Sequence, residues 1–169
     1  NNVDLYIEGS SVLQSGENCA GIQKEDDGQL TIDGSGSLEA TGGESGAGIG
    51  GASGKPGNNI TINGGTLYCD AGTNGIKCKN TISINGGTSV LMGGTREEKG
   101  AVIAVGGFTI NGGTLYAVGN TCTLPLASSG QNAVAVTFAS ALSANMLTRI
   151  ASGSSPLFAL SSPRAYKTV

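Results

Sequence analysis

The sequence predicts an all-β protein, a right-handed single-stranded parallel β-helix closed by a C-terminal β cap. Three observations carry this expectation. A heptapeptide recurs, as "ITINGGT" from Ile60, "ISINGGT" from Ile82 and "FTINGGT" from Phe108, with a looser "LTIDGSG" from Leu30. Between the copies lies a second short element, "AGI", "AGI", "NGI" and "AVI", whose isoleucines Ile22, Ile49, Ile76 and Ile103 stand 27 residues apart. Thirty glycines in 169 residues are more than twice the usual share, yet Ile, Val and Leu return in step with the repeats, as a flexible linker would not require.

Each block reads strand, Gly-Gly bend, strand, beginning at Leu5, Leu30, Ile60, Ile82 and Phe108. Their second apolar anchors, Ile7, Ile32, Ile62, Ile84 and Ile110, are spaced 25, 30, 22 and 26 residues apart. A period in the twenties with three short strands per unit is the signature of coils stacked about 4.8 Å apart. Strands must keep register to stack their side chains inward, whereas turns bulge outward freely, so insertions such as "GGASGKPGNN" account for the unequal spacing. The five isoleucines are expected to form one buried column. Leu38, Leu67, Val90 and Leu115 form the second, and Ile22, Ile49, Ile76 and Ile103 the third.

The Asn-Gly-Gly bend is the corner of a coil. Asn63, Asn85 and Asn111 are expected to stack there, each amide bonded to the next, with the glycines supplying positive φ angles and Asn tolerating a left-handed backbone. Glu8 and Asp33 hold the Asn position in the first two coils, so the ladder should stop before them. From Thr121 the repeats fade, and "NAVAVTF", "MLTRI" and "PLFAL" read as strands of another kind. Residues 1–120 are assigned to the coils and 121–169 to a cap of the same domain, which an open-ended β-helix needs.

Composition excludes several functions. The net charge is −3, with nine Lys and Arg spread without a cluster, which argues against nucleic acid. Histidine is absent, removing the commonest general base and transition-metal ligand. No apolar run approaches the roughly 20 residues of a membrane span. No signal peptide is visible at "NNVDLY", which is expected to belong to a chain whose export signal has been removed.

If Leu67 and Leu115 point inward, Tyr68 and Tyr116 point outward from the third strand of their blocks, in line with Glu39 and Leu91. Two coils separate the tyrosines, roughly 9.6 Å, close to the spacing of alternate sugars in an extended β-linked chain. Aromatic faces pack on sugar C–H groups and the hydroxyls give polar handles, so Glu39, Tyr68 and Tyr116 are the candidate carbohydrate site; scattered surface tyrosines also occur without function. Glu25, Asp26 and Asp27 in "KEDDG" offer the hard oxygens calcium prefers, or are simply solvated. Cys69 and Cys78 should both face inward, as a disulfide or as free thiols. Arg96, in "TREEKG", is the base that a lyase-like reaction would require, but lies in a turn. Outward hydroxyl columns at Thr31, Thr61, Ser83 and Thr109, and at Thr66, Thr88 and Thr114, raise an ice-binding or adhesive alternative, though the turns vary too much for a large lattice-matching face.

Three stretches carry a resemblance: "INGGTLYCDAG" running into "NGIKCKNTISINGGT", the C-terminal "GSSPLFALSSPRAYKTV", and "GAGIGGASGKPGNNITINGGT". The chain resembles, from about Val3 to its end, the bacterial carbohydrate-binding β-helix family related in fold to pectate lyases. The last stretch is similar to glycine-rich repeats of bacterial surface proteins. The resemblance implies a secreted or cell-surface protein that binds acidic or cellulose-like polysaccharide without catalysis, with calcium as a cofactor of some members. Asn74 stands where similar sequences often carry Asp as a calcium ligand. Two alternatives remain open, a calcium-dependent polysaccharide lyase-like enzyme and a structural or protein-adhesive β-helix.

Overall fold

The computed structural model describes residues 1–55 and 57–169. The first coil is β1 (Val3–Ile7), β2 (Ser10–Gln14) and β3 (Ile22–Gln23). The second is β4 (Gln29–Gly34), β5 (Ser37–Thr41) and β6 (Ile49–Gly50), and the third β7 (Asn59–Ile62), β8 (Thr66–Asp70) and β9 (Ile76–Cys78). The fourth is β10 (Ile82–Ile84), β11 (Thr88–Met92) and β12 (Val102–Ala104), followed by β13 (Phe108–Ile110) and β14 (Thr114–Val118). Equivalent strands pair in parallel into three sheets: β1-β4-β7-β10-β13, β2-β5-β8-β11-β14 and β3-β6-β9-β12. The architecture is therefore a parallel β-helix of four complete coils and most of a fifth, and the described residues contain no helix.

Strand alternation makes the core. On the first sheet Ile32, Ile62, Ile84 and Ile110 stack in register, all buried. Their partner on β1 is Leu5; Ile7, buried on the same face, instead lies opposite Gly34, where any Cβ would collide with the Ile7 backbone. The third column also differs at its end. Ile22, Ile49 and Ile76 align with Val102, while Ile103 lies opposite Lys77 and is half-buried on the outer side. Adjacent apolar residues Val102 and Ile103 compete for one inward place, and pairing from Gly100 through Ala101 sets the smaller one inside.

The second sheet departs most usefully from expectation. Its inward column runs Leu38, Leu67, Ser89 and Leu115, so Val90 faces outward and Leu91 inward. Ser89 is 0% exposed and its hydroxyl has no hydrogen-bond partner. An unpartnered hydroxyl in an apolar column costs free energy in the folded state alone. Ser89→Ala is expected to raise stability by about 1 kcal/mol. Chemical denaturation would show this as a higher midpoint at unchanged slope.

The corner behaves as a ladder. Asn111 donates its amide to Asn85 and Asn85 to Asn63, each at 2.9 Å. Below, Asp33 turns its carboxylate back to the Gly34 N–H, and the ladder stops. The asparagines are not left-handed: positive φ at the three corners falls on Gly65, Gly87 and Gly113, at 79°, 74° and 77°. Asn is thus used here for its stacking amide, and glycine alone for the bend.

Residues 121–169 form β15 (Thr137–Leu142), β16 (Leu147–Ser152), β17 (Ser155–Ser161) and β18 (Tyr166–Thr168), with β15 antiparallel to β18 and β16 to β17. Much of this segment folds back along the side of the second sheet. Met92 and Val118, outward on β11 and β14, are buried with Tyr166 in a second small core that includes Phe138, Leu142 and Leu160. Gly119 and Thr168 bridge the coils to β18.

Candidate functional site

Along the middle of its outer face the second sheet aligns Val12, Glu39, Tyr68, Val90 and Tyr116 in strict register. The two tyrosines and Glu39 therefore share the expected face, with Val90 in the place assigned to Leu91. The cap divides them. Tyr68 remains 37% exposed, whereas Tyr116 stacks on Phe158 of β17, ring centroids 3.8 Å apart and planes 9° from parallel. Tyr116 therefore presents one ring face to the cap, where a polysaccharide was expected to lie. Alternation in "PLFAL" marks a strand, but nothing local to it reveals that Phe158 lands on Tyr116.

Around Tyr68 the surroundings are built from both parts of the chain. Its hydroxyl points to the Met92 sulfur at 3.6 Å. Asp70, two residues along β8, accepts from Nε and Nη2 of Arg164 in the cap, a charge-assisted fork holding the cap beside the face. Partial burial, then the negative charges of Asp70 and Glu39, push the Tyr68 phenol above its ordinary pKa, so it stays a hydrogen-bond donor at neutral pH. Val90, Met92, Asp70, Arg164 and Phe158 are the members that sequence reasoning missed.

The acidic turn is engaged differently. Glu25 accepts from the Ala52 N–H and pairs with Lys55 at 3.3 Å, and the backbone hydrogen bond is the main reason its carboxyl pKa is lowered. Asp27 accepts from the Asn58 amide, and Lys24 caps the Asp26 and Asp27 carbonyls. Among the described residues no three acids or thiols gather where a metal could be held. Glu25 and Asp27 thus turn their carboxylates to different partners, while Asp26 is held through its backbone carbonyl. Asn74 is 1% exposed, its backbone carbonyl accepts the Gly48 N–H and its side-chain amide nitrogen has no partner.

Cys69 and Cys78 both face inward, as free thiols. Burial pushes Cys69 up to about 12, assisted by Asp70, and Cys78 up to about 11. Arg96 sits in the exposed turn between β11 and β12, 3.6 Å from Glu44. No helix among the described residues is long and apolar enough to cross a membrane. No protein-family model matches the sequence, and no curated protein or solved structure shows significant similarity to it.

Proposed function

We propose that this chain is a non-catalytic polysaccharide-binding or adhesion module of a secreted or cell-surface protein, with the glycan lying across the coils at Glu39, Tyr68 and Val90. The observation that carries this reading is the exposed Tyr68 ring on a rigid parallel sheet, flanked by a carboxylate on the preceding coil and an apolar residue on the next. Stacked strands hold that arrangement without an ordering cost on binding. The ring supplies a C–H stacking surface, and Glu39 accepts hydrogen bonds from sugar hydroxyls.

Charge narrows the ligand. Glu39 is exposed on this face, so an acidic chain would meet repulsion there unless calcium bridged it. A neutral, cellulose-like β-linked glycan fits better. A glycan array run with calcium and with chelator tests the class: selective retention of neutral β-linked chains in both conditions supports it, and no retention of any glycan rejects it. Tyr68→Ala should weaken binding by about 1 kcal/mol, roughly fivefold in Kd. Tyr116→Ala should instead leave affinity near that of the parent and lower stability, because its ring serves the cap.

A further inference from the structure

The β-helix ends on an incomplete coil. After β14 the chain makes one more partial circuit: Thr123 N–H donates to the Val102 carbonyl, Leu126 to Phe108 and Gln131 to Ile110. Residues 121–131 thereby cover the third and first sheets, but β14 remains the terminal strand of the second. The next segment, Asn132–Val136, alternates Ala and Val as a covering strand would, yet every residue of it is exposed; Val136 exchanges backbone hydrogen bonds with Val169 beside β18, and the segment forms no strand on β14.

What this leaves is a hollow of about 660 Å³ over the free edge of β14. Ile110, Leu115 and Ala117 form its floor, Cys122 and Leu124 one wall, and Val134 lies across it. The stacked pair Tyr116 and Phe158 stands at its lip. Leu115 and Ala117 occupy the inward places that Leu67 and Cys69 hold at 0% exposure two coils earlier, but here they are only half-buried. The core thus continues upward into a space that no side chain fills.

We propose that this hollow is a binding site for a neutral, largely apolar small molecule, which completes the core where the sixth-coil strand is missing. Its volume lies within the roughly 300–1,000 Å³ of ordinary small-molecule sites. No side chain lining it among the described residues carries a formal charge, which favours a neutral ligand over an ion. Gln131 and Asn132 place neutral amides at the rim, enough to orient one polar group.

The probe N-phenyl-1-naphthylamine is neutral and brightens on leaving water. Saturable brightening with the parent, weakened at least tenfold in Ala117→Trp, is the expected result, because the indole would occupy the floor. Cys122 supplies a second readout, since a ligand in the hollow shields its thiol. In Cys19→Ser, which removes the exposed cysteine, saturating probe should slow alkylation of Cys122 by N-ethylmaleimide severalfold; Cys69 and Cys78 are fully buried and stay silent. If Ala117→Trp fails to fold, the Cys122 rate alone decides. An absent or non-saturable signal, an unchanged Cys122 rate, or a folded Ala117→Trp that keeps parental affinity would overturn the proposal. The last outcome would put the probe in the other open end, at Leu5 and Leu13.

Discussion

Replacing Ile76 with Ala is expected to destabilise the protein by about 2 to 5 kcal/mol. Ile76 is 0% exposed, between Ile49 below and Val102 above, at the middle of the third column. Its β9 neighbours cannot close over the missing atoms. Gly75 already packs its backbone against Leu91 and Ala101, and each coil is tied to the next by backbone hydrogen bonds such as Ile76 N–H to the Ala101 carbonyl. The cavity therefore persists, and its cost adds to the lost transfer energy. Ile103→Ala, by contrast, removes an outward, half-buried side chain and should cost much less. Equal denaturation midpoints for the two variants would show that the column has been assigned to the wrong residues.

Gly87→Ala should cost at least about 3 kcal/mol, by a different route. Gly87 has φ of 74°, and a Cβ added there would stand 2.4 Å from the Gly65 carbonyl oxygen and 2.8 Å from the Gly64 carbonyl carbon. Both atoms are backbone of the coil below, held in place by the ladder from Asn63 to Asn85. Strain and collision therefore combine. Gly9 separates the two effects, having φ of 65° with nothing within 4 Å of its added Cβ. Gly9→Ala should show the strain alone, about 1 kcal/mol. Thermal unfolding of the pair measures the difference, and a Gly87→Ala no worse than Gly9→Ala would mean that the coils do not press together at this corner.

The coil architecture was legible in the sequence because corners and columns are written in different residue types. Asn-Gly-Gly marks the bend, and isoleucine stands just before it at the inward place. Register was legible only where inward and outward residues differ in kind. In "TLYCD" one apolar residue precedes Tyr68 and settles the alternation, whereas "TSVLM" offers Val90, Leu91 and Met92 in a row and places a serine inside. Counting from the aligned Thr66, Thr88 and Thr114 gives the observed register, while choosing the apolar residue does not. "LYIEG" misleads in the same way, since Leu5 and Ile7 both turn inward and only pairing with Gly34 distinguishes them. For the candidate site, the outward face of Glu39, Tyr68 and Tyr116 followed from alternation. The Phe158 stack and the Asp70–Arg164 fork did not, because partners 42 and 94 residues away are set by how the cap folds back.

The binding face is tested most directly by an amide chemical-shift titration of ¹⁵N-labelled protein with the glycan that an array retains best. Shifts clustered at Glu39, Tyr68 and Val90, on three consecutive coils of one sheet, are the result expected. Shifts confined to the acidic turn at Glu25 to Asp27 or to the hollow beside Cys122, with the amides of the second sheet unmoved, would contradict it.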